Sequence, residues 1–505
     1  MATTEETMKK LLIGLLALSL SLAFAQTRGG TLTVAIQTEP TAWDPTQTPG
    51  ADIARVVYDN VLQGLVKRDA KGQIVPSLAE RWVVSPSGLT YTFTLRKGVK
   101  FHDGSPFDAA DVVAKFNRAK NPDQKVSGHA RPDFYKDIVS VTAKDPSTAV
   151  FQLRQPNNDF LFILSLPESL ITPKGAKLED MKTKPIGTGP FKFAAWERGV
   201  AVRLERNPDY YVQGQPYLDK VNFRFLGDGD AQLAALRAGD IDVIAYSLLP
   251  ENAVVLQKDP NFKVFSGPST AEAVASMNNS KPPFNDIRVR KAIEFAVNKD
   301  DLIQGAMLGY GTKIGSMRSP GEACYVDLSN YYKYDPDQAK ALLAQAGYTA
   351  QNPLKFTFNI AAEFPYERRI GEALVAQLNK LGVIQANIQV VDFATWIQKM
   401  FLAADYQMTI IGHVEANDTA TYANPKYYWR YDSKKAQDLY TQYLRAPNQA
   451  KACEALGAMQ RQITEDAVSV WTMSLPALGA YRVSVQNWPA SSLTSGILVA
   501  EVWKK

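Results

Sequence analysis

Between residues 367 and 412 the apolar residues change their spacing repeatedly within a short stretch, and this pattern restricts the fold more than any other part of the chain. Ile370, Leu374, Leu378 and Leu381 recur at three- and four-residue steps, which predicts a helix over residues 367–381 with one buried face and Gly382 as its stop. A strand is expected near residues 388–391, then a helix from Asp392 through Trp396 and Met400, then a strand over residues 407–412. Strands and helices alternating at this spacing belong to an α/β layer, in which helices cover a sheet. Just upstream, Asp335-Pro336 reads as the cap and first turn of another helix, closed by Gly347.

The first half of the chain reads differently. Apolar and polar residues alternate over residues 31–36 and again over residues 89–95, as in half-buried strands. The turn signal Ser85-Pro86-Ser87-Gly88 leads into the second of these. Strand-like runs recur at residues 149–153, 201–205 and 221–226. A short helix is expected over residues 231–238, where Leu233 and Leu236 share a face and Gly239 ends the run. A length of 505 residues predicts about three domains. With 22 Phe, 22 Tyr and 8 Trp there is ample material for large cores. The formal charge of +5 is small and evenly spread, so no nucleic-acid partner is expected.

The chain starts with an address. Lys9 and Lys10 precede an apolar run over residues 11–25 that ends in Ala23-Phe24-Ala25 and is followed by Gln26. A basic start, a short apolar stretch and small residues at the end describe a cleaved secretory signal peptide, and the run falls short of the roughly 18–20 residues a membrane span needs. The mature protein is expected to begin at Gln26. A lipid-anchored bacterial protein would carry Cys at that position, so no anchor is expected. Cys324 and Cys453 then reach an oxidising compartment, where they could form a bond or remain separate buried thiols.

Chemistry-bearing motifs are missing. There is no H-E-x-x-H, C-x-x-C, G-x-S-x-G or Walker A pattern. His102, His129 and His413 are far apart in sequence and leave little for a histidine-based metal site. Gly309-Tyr310-Gly311 misses the dinucleotide spacing and reads as a loop. Asp228-Gly229-Asp230 lacks the later ligands of a calcium loop and reads as a turn and helix cap. His102-Asp103 precedes Gly104 and reads as a turn. No catalytic residue, metal site or cofactor is expected, and a secreted hydrolase is the enzyme alternative.

Residues 75–118 are more specific. Val75-Pro76-Ser77-Leu78-Ala79-Glu80 precedes Trp82. Tyr91-Thr92-Phe93-Thr94-Leu95-Arg96-Lys97-Gly98-Val99-Lys100-Phe101-His102-Asp103-Gly104 follows, then Ala110-Asp111-Val112-Val113. This wording resembles the signature of the family 5 extracellular solute-binding proteins of ABC importers, the family of dipeptide-, oligopeptide- and nickel-binding proteins. Further landmarks follow in order: Pro185-Ile186-Gly187-Thr188-Gly189-Pro190-Phe191, Asn207-Pro208-Asp209-Tyr210-Tyr211, Phe284-Asn285-Asp286-Ile287-Arg288-Val289-Arg290-Lys291-Ala292, and Tyr334-Asp335-Pro336.

The resemblance implies an α/β fold of two hinged lobes, the class II arrangement of periplasmic binding proteins, with an additional domain inserted in the first lobe. The first lobe would combine residues 26–55, 185–268 and 478–505. The insert would span residues 56–184 and the second lobe residues 269–477. It also implies a monomeric, exported, non-catalytic protein that closes on a short peptide and delivers it to the membrane permease subunits of an ABC importer. An oligosaccharide, an opine or a metal chelate is the alternative ligand.

In peptide-binding relatives an acidic residue after a second-lobe strand meets the ligand ammonium, within a Gly-Trp…Asp-Pro pattern. Here Gly412-His413-Val414-Glu415-Ala416-Asn417-Asp418-Thr419 stands there, with His413 for the Trp and Thr419 for the Pro. Asp418 fits the acidic position, with Glu415 in reserve. An arginine at the start of a second-lobe helix meets the ligand carboxylate in dipeptide-binding relatives, which points to Arg368 or Arg369. Trp43, Trp396 and Tyr422, with Tyr427, Tyr428 and Trp429, are candidates for the pocket wall.

Overall fold

The computed structural model describes residues 27–48, 50–121, 123, 128–129, 131–414 and 418–505. The signal peptide expected over residues 1–25 and the reserve residue Glu415 lie outside the described residues. Among those described, no helix is long and apolar enough to cross a membrane.

Three sheets organise the chain. A seven-stranded sheet forms the first lobe, in the order Phe262–Gly267, Ala477–Arg482, Val243–Ile244, Thr31–Ile36, Lys220–Phe225, Ala201–Arg206, Phe191–Glu197. The Thr31–Ile36 strand sits in its middle, parallel to both neighbours, and Leu32 and Val34 point into a wholly buried core. An antiparallel four-stranded sheet forms the additional domain, in the order Ala79–Val84, Thr90–Leu95, Thr148–Leu153, Ile138–Asp145. Tyr91, Phe93 and Leu95 alternate inward there, as the sequence pattern requires, and pack with Phe116 and Phe151.

The second lobe holds a five-stranded sheet, in the order Ile384–Val391, Leu354–Ala361, Met408–His413, Glu272–Met277, Ser469–Ser474. Helix Pro365–Lys380 connects the parallel pair Leu354–Ala361 and Ile384–Val391 and buries Ile370, Leu374 and Leu378 against them. Burying each such leucine or isoleucine contributes on the order of 2 kcal/mol. A second core on the opposite face of the sheet is rich in aromatics, with Trp396, Tyr422, Tyr428, Trp429 and Trp471. Cys324 and Cys453 are joined by a disulfide within this lobe, which settles the pairing that the sequence left open.

The sequence landmarks turn out to meet one another. The His102 ring lies 3.0 Å from the Gly189 carbonyl through Nε2, and the Gly187 N–H points to its Nδ1 at 3.3 Å. Gly189 N–H donates to Val61 O, and Phe191 N–H to Asn60 O. A Cβ on Gly187 or Gly189 would fall 2.0 or 2.4 Å from those backbone oxygens, so glycine is required by close approach. Burial lowers the His102 ring to about 4, keeping it a neutral hydrogen-bonding strut. Asp228 caps helix Gly229–Ala238, as expected. Arg290 donates to the carbonyls of Phe284 and Asp466 inside the second lobe.

Candidate ligand site between the lobes

Two short connections join the lobes. Strand Phe262–Gly267 of the first lobe leads into strand Glu272–Met277 of the second, and strand Ser469–Ser474 leads back into Ala477–Arg482. Gly267 pairs with Ala477 and Glu272 with Ser474, so the crossings lie side by side and form a hinge. Each connection contains a proline, Pro268 and Pro476, which narrows the backbone to few conformations.

Immediately beyond the hinge, the second lobe gathers ionisable side chains out of water. Glu272 opens its strand and stands opposite His413, the last residue of strand Met408–His413. His413 Nδ1 lies 2.6 Å from Asp418 Oδ2, and its Nε2 lies 2.8 Å from the Tyr428 hydroxyl. The Tyr428 hydroxyl continues to Ser276 Oγ at 2.9 Å. Arg318 donates to Thr419 Oγ1 at 3.1 Å and pairs with Glu322 at 3.4 Å. Arg68 of the additional domain reaches the same region: it donates to Ser495 Oγ, lies over the Phe162 ring, and interacts electrostatically with Glu322. Glu272, His413, Asp418, Arg318 and Arg68 are buried, and the Glu322 side chain is 11% exposed.

Low exposure sets the electrostatics. Burial, reinforced by the charges of Glu322 and Asp418, pushes the Glu272 carboxyl well above the usual carboxylate range. Burial also raises Glu322, against the pull of Arg318. Tyr422 and Tyr428 are raised by burial as well and remain neutral hydroxyls. The cluster therefore gathers carboxyl groups, guanidinium groups and aromatic faces out of water beside the crossing between the lobes. No group of His, Cys, Asp and Glu side chains arranged to hold a metal occurs among the described residues.

The residues expected from sequence divide by position. Asp418, His413 and Tyr422 come together here; the Tyr422 ring stacks on Trp429 with centroids 4.1 Å apart and its hydroxyl accepts from Trp471 Nε1. Trp396 backs the cluster, edge-on to Tyr428, with its indole N–H donated to Thr409 Oγ1. Trp43 lies in the first-lobe core among Phe193, Trp196 and Phe225. Arg368 is turned to solvent and pairs with Glu372, one helical turn on. Arg369 sits at the lobe boundary, donating from both Nη atoms to the Glu251 carboxylate of the first lobe at 2.9 and 2.7 Å.

Sequence reasoning missed Glu272, Arg318, Glu322 and Arg68. A charged residue at the head of the apolar run Ala273-Val274-Ala275 was a usable signal for Glu272. Arg318 and Glu322 lie in an irregular segment that carries no periodic pattern. A separate solvent-open groove of about 680 Å³ is lined by first-lobe strands together with His102, Asp103 and Lys184, and includes no residue of the hinge or the second lobe.

Two α/β lobes joined by a pair of side-by-side strand crossings are the architecture of a solute-binding protein. Bacterial extracellular solute-binding proteins, family 5, match residues 73–440. The glutathione-binding protein GsiB of Salmonella paratyphi A is 33% identical over 366 residues, covering 69% of this chain and 70% of that protein. The ABC transporter-associated periplasmic binding protein DppA of Helicobacter pylori, in complex with the peptide STSA, superposes with a TM-score of 0.80 at 26% identity, over 96% of this chain and 100% of that one. AgaA of A. tumefaciens R10, in complex with agropinic acid, also gives 0.80 at 26% identity, over 94% and 99%. The chain belongs to the family 5 extracellular solute-binding proteins, which serve ABC importers outside the cytoplasm.

Proposed function

We propose that this carrier delivers a short peptide to the permease of an ABC importer, and that Asp418 receives the peptide's ammonium group. The observation that carries the reading is the placement of Asp418. It is 7% exposed, on the second lobe beside the hinge, and its carboxylate is held by an imidazole. An ammonium taken out of water on closure needs a buried counter-charge to offset its desolvation, and Asp418 supplies one. Relatives that bind glutathione, itself a tripeptide, and the peptide STSA support the same ligand class. For the peptide's other end, Arg369 is the helix-start arginine that can serve, by exchanging Glu251 for the ligand carboxylate.

Asp418→Ala is expected to weaken binding of a short peptide by about 3–5 kcal/mol, measured by titration calorimetry. Acetylating the peptide's N-terminus should weaken wild-type binding to a similar degree and cost the variant far less. Full-strength binding of acetylated peptides by the wild type removes Asp418 from this role. An opine is the second reading, favoured by the likeness to AgaA. We further propose that the exported chain starts at Gln26 and bears no lipid. Native mass spectrometry of exported protein reads both points: a bare chain from Gln26 carrying a peptide is expected, and an opine as the main bound species ends the peptide reading.

A further inference from the structure

The cluster beside the hinge holds a carboxyl group that the peptide ammonium does not use. Asp418 has His413 as its partner and Glu322 has Arg318, at 2.6 and 3.4 Å. Glu272 is 3% exposed, and its Oε2 has no hydrogen-bond partner among the described residues. Its charge is felt by Tyr422, and the charges that act on it are those of Glu322 and Arg318, from one segment, and of Asp418, from another. A buried carboxyl group left without a donor costs free energy that a donor from outside the chain can recover.

Position limits what that donor can be. Glu272 and His413 are directly opposed on neighbouring antiparallel strands, so their side chains leave the same face with Cβ atoms about 5 Å apart. His413 Nδ1 also lies 2.6 Å from Asp418 Oδ2. The two carboxyl groups therefore both stand beside one imidazole, and the single charge of an ammonium seated on Asp418 leaves the second carboxyl uncompensated. A second donor one side chain's reach from the first compensates it.

We propose that Glu272 selects peptides whose first residue is basic, taking the lysine or arginine side chain while Asp418 takes the α-ammonium. This inference rests on the peptide reading above. Arg318 acts on Glu272 through its charge, but neither it nor Arg68 donates a hydrogen bond to Glu272 Oε2; Arg318 donates to Glu322, Ala323 O and Thr419, and Arg68 to Ser495.

The test compares Lys-Ala-Ala with norleucine-Ala-Ala, which share a carbon chain and differ in the side-chain ammonium, each free and N-acetylated, by calorimetry. Wild-type protein is expected to bind Lys-Ala-Ala about tenfold tighter or more than the norleucine peptide. Glu272→Gln should abolish that preference, so that the variant binds Lys-Ala-Ala and norleucine-Ala-Ala within about threefold of each other. Equal affinities in the wild type, or a lysine preference that survives in Glu272→Gln, overturn the role of Glu272 while acetylation-sensitive binding still upholds the peptide reading. If neither peptide binds, or acetylation changes nothing, the peptide reading falls and this inference with it. The wild-type comparison decides even if the variant fails to fold.

Discussion

Glu367 lies wholly buried at the start of helix Pro365–Lys380, where its Oε1 accepts from the Gly412 N–H at 2.9 Å and from the Tyr366 hydroxyl at 3.1 Å, while Oε2 has no partner among the described residues. Burial outweighs those two bonds and raises the carboxyl from its ordinary 4.5 to about 8. The folded protein thus keeps a proton that the unfolded chain releases between those values. Stability supplied by the protonated group is complete below pH 4.5, declines as pH rises through that window, and is lost above about 8. Glu367→Gln keeps an oxygen for Gly412 and removes the titration. Thermal unfolding from pH 5 to pH 8 should therefore show the variant gaining on the wild type as pH rises, by at most about 1.4 kcal/mol per pH unit. A constant difference between the two across this range would show that Glu367 does not titrate there.

At the scale of elements, the landmark glycines act as seams. Gly189 allows the segment after the additional domain to lie against the backbone of Asn60 and Val61, with contacts a side chain would turn into overlap. A Cβ there meets backbone atoms, which cannot rotate aside as the tip of a side chain can. Gly189→Ala is expected to lower stability by about 2 kcal/mol or more in chemical unfolding. Gly175→Ala, where an added Cβ meets nothing within 4 Å, serves as its neutral comparison. Equal stabilities for the two variants would mean that the seam opens at little cost.

For the molecule as a whole, closure is written in contacts that cross the lobes. Arg369 and Glu251 form one such contact. Asn158 of the additional domain donates to the carbonyls of Tyr443 and Ala446, and the Tyr443 hydroxyl donates to Asp159. The Arg369 and Glu251 side chains are 36% and 45% exposed, so solvent screens them and the pair contributes about 0.5–1 kcal/mol to closure. Ligand affinity includes the closing equilibrium, so Glu251→Ala should weaken peptide binding by up to about fivefold. If Arg369 acts as a latch alone, Arg369→Ala should match it and the double variant should be no worse. A larger loss for Arg369→Ala, in a double-mutant cycle read by calorimetry, would show that Arg369 also touches the ligand.

Local pattern determined much of this protein. Alternation placed the strands at Thr31–Ile36 and Thr90–Leu95, and three- and four-residue spacing placed helix Pro365–Lys380, because the period of buried apolar residues is a property of each segment by itself. The family landmarks were legible as words, though not the fact that His102, Gly187 and Gly189 meet around Asn60 and Val61. Asp418 and His413 could be picked from their loop, whereas Glu272, Arg318, Glu322 and Arg68 could not. Those charges come from segments far apart in the chain, and they become a site only where the hinge and the packed lobes exclude water from them. Exposure of Arg368 beside boundary placement of Arg369 was likewise decided by tertiary structure, since neighbouring helix positions project about 100° apart and only the docked lobe distinguishes them.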